Sequence, residues 1–433
     1  MLRRHGCDVV GCDSKSEAEF SGALEGLRDE GVKLALGAQD ESLLDGVDLV
    51  VVSPGVPPRL PLIQAADRRG VPVISELEAA FHAASAPVVA VTGTNGKSTC
   101  VEMLGEIFRN AGADVLVAGN VGVALSEVAE DLSEDGVLVV EVSSFQLERT
   151  PEFRPKVAAL LNVTQDHLDR HGDMGGYLES KIKIFANQRD DDVAILNADQ
   201  PELVSAMADL PAARLMTFSL EGPVESGVYL EGDEVRCRWE GVERPLFARD
   251  SLSVPGPHNI ANAMAAAAAA LAMGVPARRA AKGLQAFRGL EHRMERARVL
   301  EGVTFVNDSK ATNPDSLRQA LLSMPGDVFL IAGGRDKGMS FDELAPLVEE
   351  KAKGVFLIGE AAERLLEAWS EVGPVIVPSL EEAVSRAWEE AAEGDSVLLS
   401  PGCASFDMFD DFEDRGRKFK RIVAALARRQ GVG

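Results

Sequence analysis

Apolar and polar positions recur along this chain in one pattern: short β-branched runs ending in Gly, Ser, Asn or Asp, separated by longer stretches of helical spacing. Up to about residue 86 the runs are CDVVGCD, DLVVVSPG and VPVISELE. A second series begins with PVVAVTGTNGKSTC and continues through GVLVVEVSSF, KVAALLNVTQDH and DVAILNADQP. A third comprises VTFVNDSK, DVFLIAGG, GVFLIGE, VIVPS and SVLLSPG. Apolar runs of this length bounded by turn residues predict buried parallel strands, and the segments between them predict crossover helices. The pattern changes only over residues 215–248, where GVYLEGDEVRCRWEGV predicts a small antiparallel patch, and over the helical PHNIANAMAAAAAALAMGV that follows. The fold class is therefore α/β, in three consecutive α/β domains: 1–86, 87–288 and 289–433. The first and third are Rossmann-like.

At 433 residues the chain exceeds what one hydrophobic core serves. The opening LRRHGCDVV reads as the end of a helix, a Gly stop and a strand, so position 1 is expected to fall inside a helix that follows a first strand and its Gly-rich turn. The N-terminus carries no apolar segment of signal-peptide type, and no run reaches the roughly 18 apolar residues of a membrane span. A cytoplasmic protein without membrane insertion is expected. Five scattered cysteines (Cys7, Cys12, Cys100, Cys237, Cys403) give neither a disulfide framework nor zinc spacing. A net charge of −25 opposes binding of nucleic acid through a general basic surface, so an anionic ligand must be held locally.

The place for such a ligand is TGTNGKST. An apolar strand breaks into Gly93, Thr94, Asn95 and Gly96, and a helix begins at Lys97. Successive backbone N–H groups and a helix N-terminus would surround a phosphate, Lys97 would reach the terminal phosphates, and Ser98 or Thr99 would offer a hydroxyl to Mg²⁺. The central domain is on this ground P-loop ATPase-like. Its spacing is short, because Gly93 and Gly96 enclose two residues where the usual loop has four. Strand ends supply further candidates: Glu141 and Ser143 in LVVEVSSF, and Asn162, Asp166 and His167 in LLNVTQDH. One carboxylate and one hydroxyl, with nucleotide oxygens and waters, suffice for Mg²⁺, and Glu141 with Ser98 meets that requirement. Read alone, His167 is a surface or structural histidine and Lys181 an exposed helix lysine.

Taken together, TGTNGKST, EVSSFQLE, NVTQDHLDRH, SKIKIF, GPHNIANA, HR, NDSKATN, GGRDKG and SPGCASFDMFDDFEDRG occur in the order of, and resemble, the Mur ligase family over nearly the whole chain. The short loop belongs to that resemblance. Within the family the likeness is strongest to the ligases that add D-glutamate to UDP-N-acetylmuramoyl-L-alanine in peptidoglycan precursor synthesis. It implies ATP-driven amide formation through an acyl phosphate, by a monomer. It implies further that the residues around Gly96 and Lys97 hold the ATP phosphates, together with Asn259, Asn262, Arg293 and Asp308. Two Mg²⁺ sites are implied, one at Ser98 and Glu141 and one at His167 and a carbamylated Lys181. Asn120 would lie near the reacting groups and, with Ser143, contact the UDP-linked substrate, whose uracil side falls to Asp13, Ser14, Ser53 and Gly55. D-glutamate would meet Thr312, Lys337, Ser405 and Phe406. A sister ligase with another acceptor, one of folylpolyglutamate-synthase type included, would share the loop and metal positions. A catalytically silent homologue would keep the pockets. A nucleotide-driven motor or switch lacks support from the loop spacing and the charge.

Overall fold

The computed structural model describes residues 1–20, 24–37, 39–166, 168–207, 213–254, 256–336 and 338–429. The first of the chain's sheet regions is two separate parallel pairs, β1 (Val10–Asp13) with β2 (Lys33–Leu36) and β3 (Val50–Val52) with β4 (Val73–Ser75). The opening residues form a turn that ends at Gly6, whose φ of 79° is the left-handed conformation a Gly stop supplies.

The second region is a nine-stranded sheet. Its strands are β5 (Val88–Thr92), β6 (Val115–Gly119), β7 (Val137–Glu141), β8 (Val157–Leu160), β9 (Val193–Asn197), β10 (Arg214–Ser219), β11 (Gly227–Glu231), β12 (Glu234–Trp239) and β13 (Val242–Ala248), in the order β13-β12-β11-β10-β9-β8-β5-β7-β6. The antiparallel patch expected over residues 215–248 is present as β11 to β13, but β10, at its start, belongs to the parallel part of the sheet. β10 pairs parallel with both β9 and β11, and only β11 to β13 run antiparallel. The physical reason is that β10 carries Met216 and Phe218, both fully buried, which continue the core of the parallel sheet.

Helices α1 (Lys97–Ala111), α2 (Met174–Ile182), α3 (Pro257–Ala272) and α4 (Ala277–Ala286) belong to this region. α1, α3 and α4 cover one face of the sheet, where Leu104, Ile107 and Phe108 meet Val139, Ala159 and Ile195. Complete burial of side chains of this size contributes about 1.5–3 kcal/mol each. The Ala-rich run is a core helix: residues 263–270 of α3 are buried all round, because small side chains let the helix lie close to the sheet and to α1.

The third region is a six-stranded sheet of β14 (Glu295–Leu300), β15 (Val303–Asn307), β16 (Val328–Gly333), β17 (Ala352–Ile358), β18 (Val375–Ile376) and β19 (Ser396–Leu399), in the order β14-β15-β19-β16-β17-β18. Helices α5 (Pro314–Ser323) and α6 (Phe412–Arg429) are used below. In both large sheets the topology decides which loops meet. β5 lies between β7 and β8, so the segments after these three strands share one edge; β19 lies between β15 and β16 and does the same for residues 308–313 and 400–405. Ligand crevices in parallel sheets form at such carboxyl ends.

The closeness of α4 to α1 is testable. A Cβ at Gly283 would stand 2.4 Å from the Ile107 Cα, although the Gly283 backbone is ordinary helix. Gly283→Ala is expected to cost about 1–3 kcal/mol through overpacking, seen as a lower thermal midpoint. A midpoint equal to that of the native chain would refute the close packing.

Candidate active site

The phosphate-type loop is shaped by two glycines. Gly93 has φ of 155° and Gly96 φ of 87°, and a Cβ at Gly96 would meet the Asn262 amide, so a side chain there is disfavoured by the left-handed backbone and would displace Asn262 from the loop. Asn162, at the end of β8, pins the loop between them. Its Oδ1 accepts from the Asn95 N–H at 2.9 Å and its amide donates to the Asn95 carbonyl at 3.0 Å. Thr94 is tied to the same segment, receiving the Thr164 N–H at 3.0 Å.

Lys97 turns back onto the loop and donates to the Gly93 and Thr94 carbonyls, each at 2.8 Å. Ser98 donates to Glu141 Oε2 at 2.6 Å, while Asn120 donates to Glu141 Oε1 at 3.0 Å. Both carboxylate oxygens are thereby aimed, with Glu141 itself buried. Lys181 projects from α2 into the same space, buried to 1% exposure, and donates to the Gly93 carbonyl at 2.9 Å. Two lysines therefore share one carbonyl oxygen. Burial first, and then the charge of Lys97, pull the Lys181 ammonium well below its ordinary pKa, with Asp166 and Glu141 opposing. Burial also lowers Lys97, again against Glu141 and Asp166.

The C-terminal region closes the site from the other side. Lys310 donates to Ser98 Oγ at 2.9 Å, and burial brings its ammonium down to about 8. Arg293 faces Asp308 and Glu141 electrostatically, yet among the described residues no hydrogen bond or ion pair reaches its guanidinium. Asp308, whose carboxyl burial pushes up to about 6, accepts from Ser400 Oγ at 2.8 Å and from the Met294 N–H at 3.1 Å. On the central side the Asn262 side-chain nitrogen and the Thr99 hydroxyl are buried and find no hydrogen-bond partner among the described residues. Donors left bare in the interior are costly unless a ligand satisfies them.

Two cavities result. One of about 520 Å³ runs between the regions and is lined by Asn95, Gly96, Asn262, Arg293, Asp308 and Lys310, extending to Asn197, Asp199, Phe218 and His258. The other, of about 330 Å³, is lined by Lys97, Ser98, Asn120, Glu141, Ser143, Lys181, Thr312 and Phe412. Asn95, Gly96, Arg293 and Lys310 belong to both. A strongly cationic loop with bare donors beside a nucleotide-sized space, opening into a second space around a carboxylate and a hydroxyl, suits phosphoryl transfer between two ligands.

Of the residues expected from the sequence, Gly93, Thr94, Asn95, Gly96, Lys97, Ser98, Thr99, Asn120, Glu141, Ser143, Lys181, Asn262, Arg293, Asp308 and Thr312 gather here, and Asn259 is buried in the first turn of α3. His167 and Lys337 lie outside the described residues. Ser405 is buried and Phe406 is 64% exposed, and neither lines either cavity; Phe412 occupies the aromatic place instead. Asp13 and Ser14 end β1 and Ser53 and Gly55 follow β3, apart from both cavities. Ser53 lines a small crevice with Arg149 and Arg170. Lys310 and Phe412 were passed over in the sequence, although Lys310 stands inside NDSKATN, and His258 lines the larger cavity at the start of α3.

Two outcomes are expected. Arg293→Met should weaken ATP binding roughly tenfold or more, the value of a charge-assisted hydrogen bond, with the ligand-free melting midpoint little changed; titration calorimetry that finds native affinity would remove Arg293 from the site. His258 is pulled down to about 4 by burial and then by Arg293. The unfolded chain takes up this proton near 6.5 and the folded chain does not, so stability falls as pH drops from about 6.5 to 4. His258→Asn should lessen that fall in urea midpoints compared at pH 7 and pH 5, and an unaltered pH slope would contradict the assignment.

Comparison with known proteins agrees with this geometry. Residues 1–75 match the N-terminal domain of MurD-like Mur ligases, 91–270 the Mur ligase middle domain and 292–403 the Mur ligase glutamate ligase domain. The UDP-N-acetylmuramoylalanine–D-glutamate ligase of Pelotomaculum thermopropionicum is 44% identical, over 98% of this chain and 94% of that protein. The enzyme of the same name from Alkaliphilus oremlandii is 42% identical, over 99% and 95%. Among solved structures, a pseudomurein peptide ligase type C from Methanothermus fervidus is similar in fold, with a TM-score of 0.63, 20% identity and coverage of 98% and 96%. MurF ligase from Thermotoga maritima in complex with ADP has a TM-score of 0.60, 18% identity and coverage of 90% and 98%. Identity of this level along nearly the entire length, on a shared fold and with the domain matches in the same order, means that the chain belongs to the Mur ligase family.

Proposed function

We propose that this protein is an ATP-dependent, ADP-forming ligase that adds D-glutamate to UDP-N-acetylmuramoyl-L-alanine in peptidoglycan precursor synthesis, acting as a cytoplasmic monomer. The reading rests on one observation: identity of 44% over 98% of the chain to a ligase with these substrates in its name. The geometry supports it, because the two cavities share the phosphate-type loop.

Condensing a carboxylate with an amine in water is uphill. The alanyl carboxylate therefore takes the γ-phosphoryl group of ATP, ADP leaves, and the amine of D-glutamate attacks the acyl phosphate, expelling phosphate as the amide forms. Backbone N–H groups of the loop, Lys97 and Arg293 hold and neutralise the phosphates. Asn120 orients Glu141. Mg²⁺ would be held by Ser98 and Glu141, whose neighbouring hydroxyl and carboxylate are the oxygen donors a hard cation takes, and would neutralise charge on the phosphates. A second ion would fall to His167 and a carbamylated Lys181. Burial beside Lys97 favours the neutral amine of Lys181, the form that adds CO₂. Apposition of Arg293 and Lys310 to the loop excludes water from the reacting groups. Asp13, Ser14, Ser53 and Gly55 serve the UDP moiety, and Thr312 and Phe412, which line the smaller cavity, serve the D-glutamate together with Lys337 and Ser405.

Phosphate release from ATP in the presence of UDP-N-acetylmuramoyl-L-alanine tests this. Release is expected with D-glutamate, with the amide product seen by mass, and not with L-glutamate, L-lysine or meso-diaminopimelate. Turnover with another acceptor would identify a sister ligase, and none with any acceptor a silent homologue. Equilibration with ¹³C-bicarbonate should give a carbamate NMR signal that Lys181→Ala abolishes; its absence from the native protein would exclude the modification.

A further inference from the structure

The Asn95 side chain is gripped entirely from the C-terminal region. Its Nδ2 donates to Asp315 Oδ2 at 2.7 Å, and its Oδ1 accepts from Ser316 Oγ at 2.7 Å and from Asn313 Nδ2 at 3.4 Å. Asp315 Oδ2 also receives the Thr164 hydroxyl at 3.4 Å, and Asn313 donates to Asp166 Oδ2 at 3.2 Å. The three gripping residues are the N-cap and first turn of α5, and Asn313 Oδ1 simultaneously accepts the Ser316 N–H at 2.8 Å, so the helix holds them in fixed relation. The Asn95 backbone, by contrast, is fastened to Asn162 within its own domain.

This division of labour has a mechanical meaning. The loop backbone is fastened within the central domain, while the Asn95 side chain is the post on which the C-terminal domain registers. The same register carries Lys310 to Ser98 Oγ and Arg293 to the cavity wall. We infer that Asn95 and Asp315 form a closure latch, Asp315 being a positioning residue that sets the C-terminal domain on the phosphate loop and acts on catalysis through Lys310 and Arg293. Asp315 lines the larger cavity, but its hydrogen bonds among the described residues go to Asn95 and Thr164 and not to Ser98, Glu141 or Lys181, and it lies two residues beyond NDSKATN, the segment that carries the family resemblance. The latch matters to turnover only if the reading under Proposed function holds, but closure itself does not depend on it.

The test compares Asp315→Ala and Asp315→Asn in the full chain. Loss of a carboxylate that receives two donors lowers the odds of closure roughly tenfold. Asp315→Ala is therefore expected to lower kcat about tenfold, with the dissociation constant for UDP-N-acetylmuramoyl-L-alanine within about twofold of native. Asp315→Asn, which keeps an acceptor for the Asn95 amide, should retain most of the activity. Small-angle scattering should show the native chain compacting on addition of a non-hydrolysable ATP analogue with that precursor, and Asp315→Ala compacting less. Native kcat in Asp315→Ala, or equal compaction of the two, overturns the latch, as does a parallel loss of activity and precursor affinity in both variants. If the native chain compacts but does not turn over with D-glutamate, the functional reading fails and the scattering comparison alone decides the latch.

Discussion

Lys97, Lys181, Arg293 and Lys310 converge around Glu141, Asp166 and Asp308 in a chain whose net charge is −25. Crowding cations out of water is unfavourable, and the lowered pKa values of all four record it. The surrounding structure is arranged to bear this cost. Gly93 and Thr94 carbonyls take up Lys97, Glu141 and Ser98 face Lys310, and Tyr177 lies under the Lys181 ammonium at 4.5 Å. A polyphosphate would balance the remaining positive charge, so the electrostatics of the cavity favour such a ligand.

The cations come from different parts of the fold. Lys97 opens α1, Lys181 ends α2, and Arg293 and Lys310 flank β14 and β15. Two sit on helices and two at strand ends, and their meeting depends on how the C-terminal region sits on the central one. Asn95 lies at the seam, its backbone belonging to one side and its side-chain partners to the other. Chemistry that uses both cavities requires the seam to be closed, and a reactive acyl phosphate requires it to be dry.

Much of this was legible along the chain, for local reasons. Strand runs ending in Asn, Ser and Asp, a glycine loop before a helix, and a hydroxyl after Lys97 are features of neighbouring residues, and they identified the loop, Glu141 and Asn162. The alternation also indicated α/β structure throughout. Where the reading went astray, long-range pairing was the cause. β10 looked like part of an antiparallel patch because turn residues follow it, but its register is set by β9, whose partner residues lie about twenty positions upstream. Phe406, named from the sequence among the D-glutamate contacts, is exposed and lines neither cavity, while Phe412, six residues on, lines the smaller one, a difference set by how the turn before α6 packs.

The sequence by itself determined the local chemistry: which segment can cradle a phosphate, which strand ends carry carboxylate, amide or hydroxyl, and where glycine is needed because φ must be positive. Only the tertiary structure decided that Lys310 meets Ser98 and that Asp315 holds Asn95, for these pairs stand more than two hundred residues apart and nothing in their own neighbourhoods specifies a partner. Their encounter is set by the order of strands in two sheets and by the packing of α5 against the loop, a collective outcome of burying both cores that no stretch of sequence contains alone.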